Sequence, residues 1–310
     1  MNYDIIGDIH GQADKLEALL GKMGYASRGG TFRHPGRMAI FVGDFIDRGP
    51  RNVDTVNAVR RMVDAGSAVA IMGNHEFNAI AWHLPDQDAP GEFLRPRQGK
   101  LGDKNRKQHA AFLAEVEHKP KLHAEVIDWF LTLPLWLELP EFRVVHACWH
   151  AGYMKELRPL LTPDLQIDRD LMVAASRGGR MEFRTVEGLT KGIEIELPDG
   201  HNFLDKDGHE RSNVRIRWWD TEATSYRDLA VMEDDLRARL PTSEAPRDAG
   251  HRYDGAKPVF FGHYWMNGLP QVLSPAAVCV DYSAGKGGPL VAYRWDGDGP
   301  LSASQFVWAG

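Results

Sequence analysis

Four short apolar runs, Tyr3 to Ile6, Met38 to Val42, Ala68 to Met72 and Phe142 to Val145, each stop at a cluster of polar residues. That is the pattern of buried strands whose carboxyl ends carry side chains into a common site. Between the first two runs, Leu16, Leu19, Leu20 and Met23 recur at helical spacing, and between the second and third Val53, Val56, Met62 and Val63 predict another helix. Strand and helix in alternation predict βαβ units with right-handed crossovers. Helix and strand signals return over Ala124 to Leu139, where Val126, Ile127, Phe130 and Leu131 precede Leu133-Pro134-Leu135-Trp136-Leu137. Near the end, Pro258 to Phe261, Ala277 to Val280 and Leu290 to Trp295 predict three strands of a second sheet.

Two stretches break this pattern. From about His83 to His123 the periodicity loosens around Pro85, Pro90, Pro96 and Pro120, and the stretch carries Arg95, Arg97, Lys100, Lys104, Arg106 and Lys107. Residues 185–255 are rich in charge and in turn sequences such as Leu197-Pro198-Asp199-Gly200 and Asp205-Lys206-Asp207-Gly208. Both are expected to be insertions that build a partly helical cap on a single domain spanning residues 1–310, rather than separately folding units.

At 310 residues the chain can bury a substantial core, and 43% hydrophobic with 26% charged residues is ordinary globular composition. A formal net charge of −6 argues against stable nucleic-acid binding, which normally rests on an excess of Lys and Arg, so an anionic substrate must be met locally. Cys148 and Cys279 lie in apolar, strand-like surroundings and read as buried free thiols. No basic segment followed by an apolar one precedes the first strand, and no run approaches a membrane span, so a cytoplasmic protein without a membrane partner is expected.

The polar clusters carry the chemistry. Asp8-Ile9-His10-Gly11 follows the first strand, and residues two apart point the same way in extended backbone, so one carboxylate and one imidazole face a single ion. Gly43-Asp44-Phe45-Ile46-Asp47-Arg48-Gly49 follows the next, with a carboxylate able to bridge two cations and an arginine able to grip phosphate. Gly73-Asn74-His75-Glu76 adds an amide oxygen beside a proton donor, and His146 and His263 each sit where a strand stops. A lone Asp or His at a strand end is an ordinary turn residue or helix cap. Recurrence at five strand ends, among glycines, is not.

This ordered set resembles the calcineurin-like metallophosphoesterases, in the phosphoprotein-phosphatase branch that includes bacterial diadenosine tetraphosphate hydrolases. The likeness is specific over residues 3–82 and looser around 142–152 and 258–295. It implies an α/β sandwich of two mixed sheets flanked by helices, and phosphate-ester hydrolysis by attack of a metal-bridging hydroxide. It further implies that Asp8, His10 and Asp44 hold one divalent metal and that Asp44, Asn74, His146 and His263 hold the other. His75 would be the general acid, oriented by Asp47, and Arg48 and Asn74 would meet the phosphoryl group. Oxygen and imidazole ligands suit Mn, with Fe, Zn, Co or Ni as other ions.

Departures from the family pattern leave alternatives. The fourth motif could be His146-Ala147-Cys148 or His150-Ala151-Gly152, with His146 favoured because it directly ends the Val144-Val145 strand. A second phosphate-binding arginine is sought among Arg215, Arg217 and Arg227, with Arg217 and Arg227 taken as substrate-binding candidates together with Tyr282. Trp149, Trp218, Trp219 and Trp265 are core or cap residues unless one stacks on a base, and Ser283-Ala284-Gly285-Lys286-Gly287-Gly288 reads as a turn because it lacks full P-loop spacing. The substrate is expected to be a phosphate ester, whether phosphoprotein, nucleotide or small molecule. A phosphomonoesterase of the protein-phosphatase kind is the leading expectation, dinucleoside polyphosphate hydrolysis the alternative, and an inactive binding scaffold the reading from another class.

Overall fold

The computed structural model describes residues 2–204, 210–246, 251–297 and 299–310. The Asp205-Lys206-Asp207-Gly208 turn lies outside the described residues. The chain alternates β1 (Asn2–Ile6), α1 (Ala13–Met23), β2 (Arg37–Phe41), α2 (Asn52–Asp64) and β3 (Ala68–Ala70). It continues through helices α3 (Asn74–His83), α4 (Gly99–Val116) and α5 (Pro120–Phe130) to strands β4 (Trp136–Glu138) and β5 (Arg143–Val145). Helices α6 (Ala151–Leu157), α7 (Arg169–Ala175) and α8 (Met181–Lys191) then lead to a small pair, β6 (Glu194–Glu196) and β7 (Asn213–Arg215). Strands β8 (Val259–Phe261), β9 (Ala277–Cys279), β10 (Leu290–Trp295) and β11 (Phe306–Ala309) complete the core.

Two sheets face one another. The first runs β11-β10-β1-β2-β3, with β1, β2 and β3 parallel and β10 antiparallel to β1. The second runs β9-β8-β5-β4, parallel except for β4. Strand alternation divides the core. Ile5 and Ile40 point between the sheets to meet Phe142, Val144, Phe260 and Val278, while Ile6, Ala39 and Phe41 point outward to the helices. There Leu16, Leu19, Leu20 and Met23 of α1 are fully or almost fully buried at the spacing the sequence predicted, and α1 ends on Gly24 in left-handed conformation. In α2 the buried stripe is Val56, Val59 and Met62, with Val53 and Val63 at its margins.

One expectation is corrected. Strand β10 belongs to the first sheet, because Ile6 pairs with Ala292 and Tyr3 with Trp295, so only β8 and β9 of the last three strands lie in the second. Within the basic stretch, α4 buries His109, Phe112, Leu113 and Val116. Both cysteines are buried and free, and among the described residues no helix is long and apolar enough to cross a membrane.

Candidate metal centre

The carboxyl ends of β1, β2, β3, β5 and β8 converge, and the chain turns sharply at each. His10, Asp44, Asp47, Arg48, His263 and Trp265 all have positive φ, from 50° at His10 to 73° at Asp47 and His263, a conformation that costs energy in non-glycine residues and clusters at functional sites. Two glycines make the convergence possible. A Cβ on Gly262 would fall 2.0 Å from Asp8 Oδ1, and one on Gly43 (φ 101°) would fall 2.4 Å from the backbone nitrogen of Gly73. Buried Glu76 ties the Asp44 turn to α3 by accepting from the backbone N–H groups of Asp44, Phe45 and Gly73 at 2.7, 2.8 and 3.0 Å.

Asp44 is the centre of the cluster. Its Oδ2 lies 3.4 Å from His146 Nε2, 3.7 Å from His10 Nε2 and 3.9 Å from His75 Nε2. His10, Asp44 and His75 form one group of donor atoms within 4.8 Å of one another, and Asp44, His146 and His263 form a second. Asn74 Oδ1 joins the second group, 2.8 Å from His263 Nδ1 and 3.1 Å from His146 Nε2. Two of the rings are aimed from behind. His10 Nδ1–H donates to the Ile46 carbonyl at 2.9 Å and His146 Nδ1–H to the Val42 carbonyl at 2.7 Å, which leaves both Nε2 lone pairs facing inward. Asp8 is in neither of these groups, and its Oδ2 accepts from the His263 backbone N–H at 2.9 Å.

These residues fit a pair of divalent cations. Asp8 Oδ1, His10 Nε2 and His263 Nε2 are buried with no hydrogen-bond partner, a costly state for polar atoms that metal ligation relieves for inward-facing ones. Burial, then the charges of Asp281 and Asp44, push Asp8 well above the usual carboxylate range. Burial also opposes charge on Asp44, yet His146, His75 and His10 hold its carboxyl well below that range. Burial and neighbouring His75 lower His10 to about 4, so its imidazole is neutral and able to ligate.

His75 differs from the other histidines. Its Nδ1 is 2.5 Å from Asp47 Oδ2, and although burial lowers its pKa, Asp44 and Asp47 together raise it. Asp47 also accepts from His109 Nδ1 at 2.9 Å. The row His109–Asp47–His75 therefore leads from α4 into the pocket. Sequence reasoning did not find His109, which lies on an amphipathic helix 62 residues from its partner.

The pocket above the centre encloses about 590 Å³. Arg48, Arg95, Lys104, Lys191, Arg211, Arg215 and Lys286 are all on its wall. Arg211 and Arg215 are thus arginines of the second inserted segment that reach the site. Arg217 and Arg227 are not on this pocket. Arg217 lines neighbouring cavities, and the Arg227 guanidinium is spent on the Leu240 carbonyl at 2.7 and 3.0 Å. Nor does Tyr282 reach it, because its hydroxyl accepts the Gln271 backbone N–H at 2.9 Å. His146, not His150, joins the cluster, since His150 caps α6 and stacks on Tyr153 at 3.8 Å. Trp218 and Trp219 pack on Phe261 and Trp149 is buried, whereas Trp265 lines the pocket and stacks on His10 at 5.0 Å. Of the cations in the first insertion, Arg95 and Lys104 face the pocket while Arg97 is held by the Trp82 carbonyl.

Comparison with known proteins agrees with this geometry. A family model for calcineurin-like phosphoesterases matches residues 1–263. An asymmetrical bis(5'-nucleosyl)-tetraphosphatase from Halalkalibacterium halodurans is 45% identical over 157 residues, covering 50% of this chain and 59% of that protein. The corresponding protein of Oceanobacillus iheyensis is 45% identical over 158 residues, 51% and 58% of the two chains. The chain thus spans less than two thirds of the length of these relatives. A symmetrical bis(5'-nucleosyl)-tetraphosphatase from Vibrio parahaemolyticus is 23% identical over 94% of both chains. Among solved structures, a protein serine/threonine phosphatase from Saccharomyces cerevisiae superposes with a TM-score of 0.51 at 16% identity, covering 99% of this chain and 78% of that one, a likeness of fold. The chain belongs to the calcineurin-like phosphoesterase family, whose members imply a dinuclear divalent-metal centre.

Proposed function

We propose that the protein is a metal-dependent phosphoric ester hydrolase acting on dinucleoside polyphosphates. The observation that carries this reading is the wall of the metal pocket, where seven Arg and Lys side chains surround the two ligand groups. The acids of that wall are engaged. Asp44 faces the metal groups, Asp47 is held by His75 and His109, and Glu187 pairs with Lys191. A phosphomonoester needs one or two cations beyond the metals. A chain of four phosphates needs several, spread over a wall of this kind. The tetraphosphatase relatives, by their names, support this reading over the protein-phosphatase expectation.

Asp44, His10 and Asp8 would hold one ion, and Asp44, Asn74, His146 and His263 the other, with Mn the leading metal. Such a pair supplies a nucleophilic water at neutral pH and polarises the phosphoryl oxygen. Arg48 binds and orients the phosphoryl oxygens. His75, kept protonated by Asp44 and Asp47, gives its Nε2 proton to the leaving oxygen. Asp47 and His109 hold the His75 ring at that angle. Retention of every expected ligand and of His75 speaks against an inactive scaffold.

Chelator-stripped protein reloaded with Mn, given bis(5'-adenosyl) tetraphosphate, 4-nitrophenyl phosphate and a phosphopeptide, tests this. The dinucleotide is expected to have the highest kcat/KM; a phosphopeptide preference would return the protein-phosphatase reading, and metal binding without turnover the scaffold.

A further inference from the structure

A second cavity of about 800 Å³ adjoins the metal pocket, and the two share Trp265 and Lys286 as a common wall. Its volume falls within the roughly 300–1,000 Å³ of small-ligand sites. Its chemistry differs from that of its neighbour. Where the metal pocket is ringed by cations, this cavity is lined by Trp219, Val231, Met232, Met266 and Leu273, and its charges are balanced, Arg217 and Lys286 against Asp220 and Glu233. A polyanion is matched by the first cavity; a flat, neutral, partly polar group is matched by the second.

The wall between them is built rather than incidental. The Trp265 backbone N–H donates to buried Asp281 Oδ2 at 2.7 Å, and the Met266 N–H to the Asp281 carbonyl at 3.0 Å. Ser283 Oγ donates to the Met266 carbonyl at 3.1 Å, and the Gln271 N–H to the Tyr282 hydroxyl at 2.9 Å. The loop after β8 is thereby stitched to the loop after β9. Trp265 is held at a positive φ of 52° with one ring stacked on His10, and Lys286 Nζ lies 3.8 Å from the centroid of its ring. An aromatic plane and a cation thus stand together at the mouth joining the cavities.

We infer that this second cavity is a nucleoside subsite: when the scissile phosphate lies at the metal groups, the adjoining nucleoside enters between Trp265 and Leu273, and Lys286 at the boundary holds a phosphate that is not cleaved. The inference rests on the dinucleoside polyphosphate reading and adds to it the place where a base is bound. Asp220 and Glu233 face the cavity as acceptors for ribose hydroxyls.

The test is Leu273→Trp, which fills the cavity from a residue remote from the metal ligands. With Mn-loaded protein, the ratio of kcat/KM for bis(5'-adenosyl) tetraphosphate to that for 4-nitrophenyl phosphate is expected to fall about tenfold, through KM for the dinucleotide. A ratio within twofold of wild type, in a variant that melts within a few degrees of it, would overturn the subsite. If the variant does not fold, calorimetric titration of wild type with AMP and with inorganic phosphate decides the matter. AMP binding at least tenfold tighter supports the subsite and equal affinities overturn it. Wild-type protein that fails to hydrolyse the dinucleotide removes the substrate reading instead, while the AMP titration still reports on the cavity.

Discussion

Replacing His109 by alanine removes a residue of the pocket wall that stands outside both ligand groups yet closes the row behind His75. The His109 Nδ1–H bond to Asp47 Oδ1 is 2.9 Å long, and both side chains are buried. Burial raises the Asp47 pKa, and His109 is the first of the groups that bring it back below the usual carboxylate range, ahead of His75. Hydrogen bonds to a buried charged group contribute about 1.5–3 kcal/mol, and a loss of that size in the transition state corresponds to roughly a 10- to 150-fold fall in rate. The fall should appear in kcat, with KM changed little, because the phosphate contacts remain. It should also depend on the leaving group. An alkyl leaving oxygen needs a proton from His75, whereas 4-nitrophenolate, or a departing nucleotide whose terminal phosphate has a second pKa of about 6, leaves without one. His109→Ala is therefore expected to slow a poor leaving group by at least tenfold more than 4-nitrophenyl phosphate, and His109→Gln, which retains a donor, to recover part of the loss. An equal fall for both leaving groups would show that His109 merely supports the fold and that the row has no part in proton delivery.

Other consequences are open to simpler measurements. Asp44→Asn should lower turnover by roughly 100-fold or more and reduce the Mn bound per chain by atomic absorption, since the residue stands in both ligand groups; full metal content with full activity would remove it from the centre. Arg215→Ala should raise KM for the dinucleotide about tenfold, the equivalent of one lost charged hydrogen bond, while Arg227→Ala stays within about twofold because its guanidinium is spent on Leu240. Burial, with His83, His109 and Arg97 nearby, lowers the His123 pKa to about 4 from 6.5. Because the folded value lies below the unfolded one, stability is complete above pH 6.5 and falls as pH drops toward 4, by at most ~3 kcal/mol. Denaturant titrations of wild type and His123→Gln should diverge across that window, and parallel curves would contradict the assignment.

The core strands were legible because they are short apolar runs, several of them with glycine at the exit, and the candidate metal ligands because they closely follow those strands. What lay beyond sequence was pairing and reach. Leu290–Trp295 reads as a strand, but nothing local says that it joins β1 from the far end of the chain. Arg215 and Arg217 are two apart and point to the same side of extended backbone, so alternation does not separate them. The register of β6 with β7, which pairs Arg215 with Glu194, and the cavity walls do. His109 sits on an amphipathic helix in a basic stretch, where a histidine reads as solvated, and Asp281 follows β9 as any turn residue would. A buried carboxylate bonded to two backbone N–H groups is visible only once both loops are in place.

The ligand cluster is an expensive piece of structure taken by itself. Asp8, Asp44, Glu76 and Asp281 are all buried, burial and the charge of Asp44 both push Asp8 and Asp281 up, and burial with Asp44 lifts Glu76 to about 7. Several of the turns that aim these groups use left-handed backbone at residues with full side chains. The interactions on the other side of the balance are specific: Glu76 accepts three backbone N–H groups of its own turn and of the Asp44 turn, Asp281 fixes Trp265 and Ser283, and the flat apolar faces of Ile5, Ile40 and Phe260 lock the strands beneath. None of these cancels like charge. Divalent cations do, since each positive ion turns mutual repulsion among carboxylates into shared attraction. Ligand binding to the folded state alone adds to its stability by mass action. The geometry proposed for phosphate chemistry is therefore expected to make the folded chain more stable when divalent ions are bound.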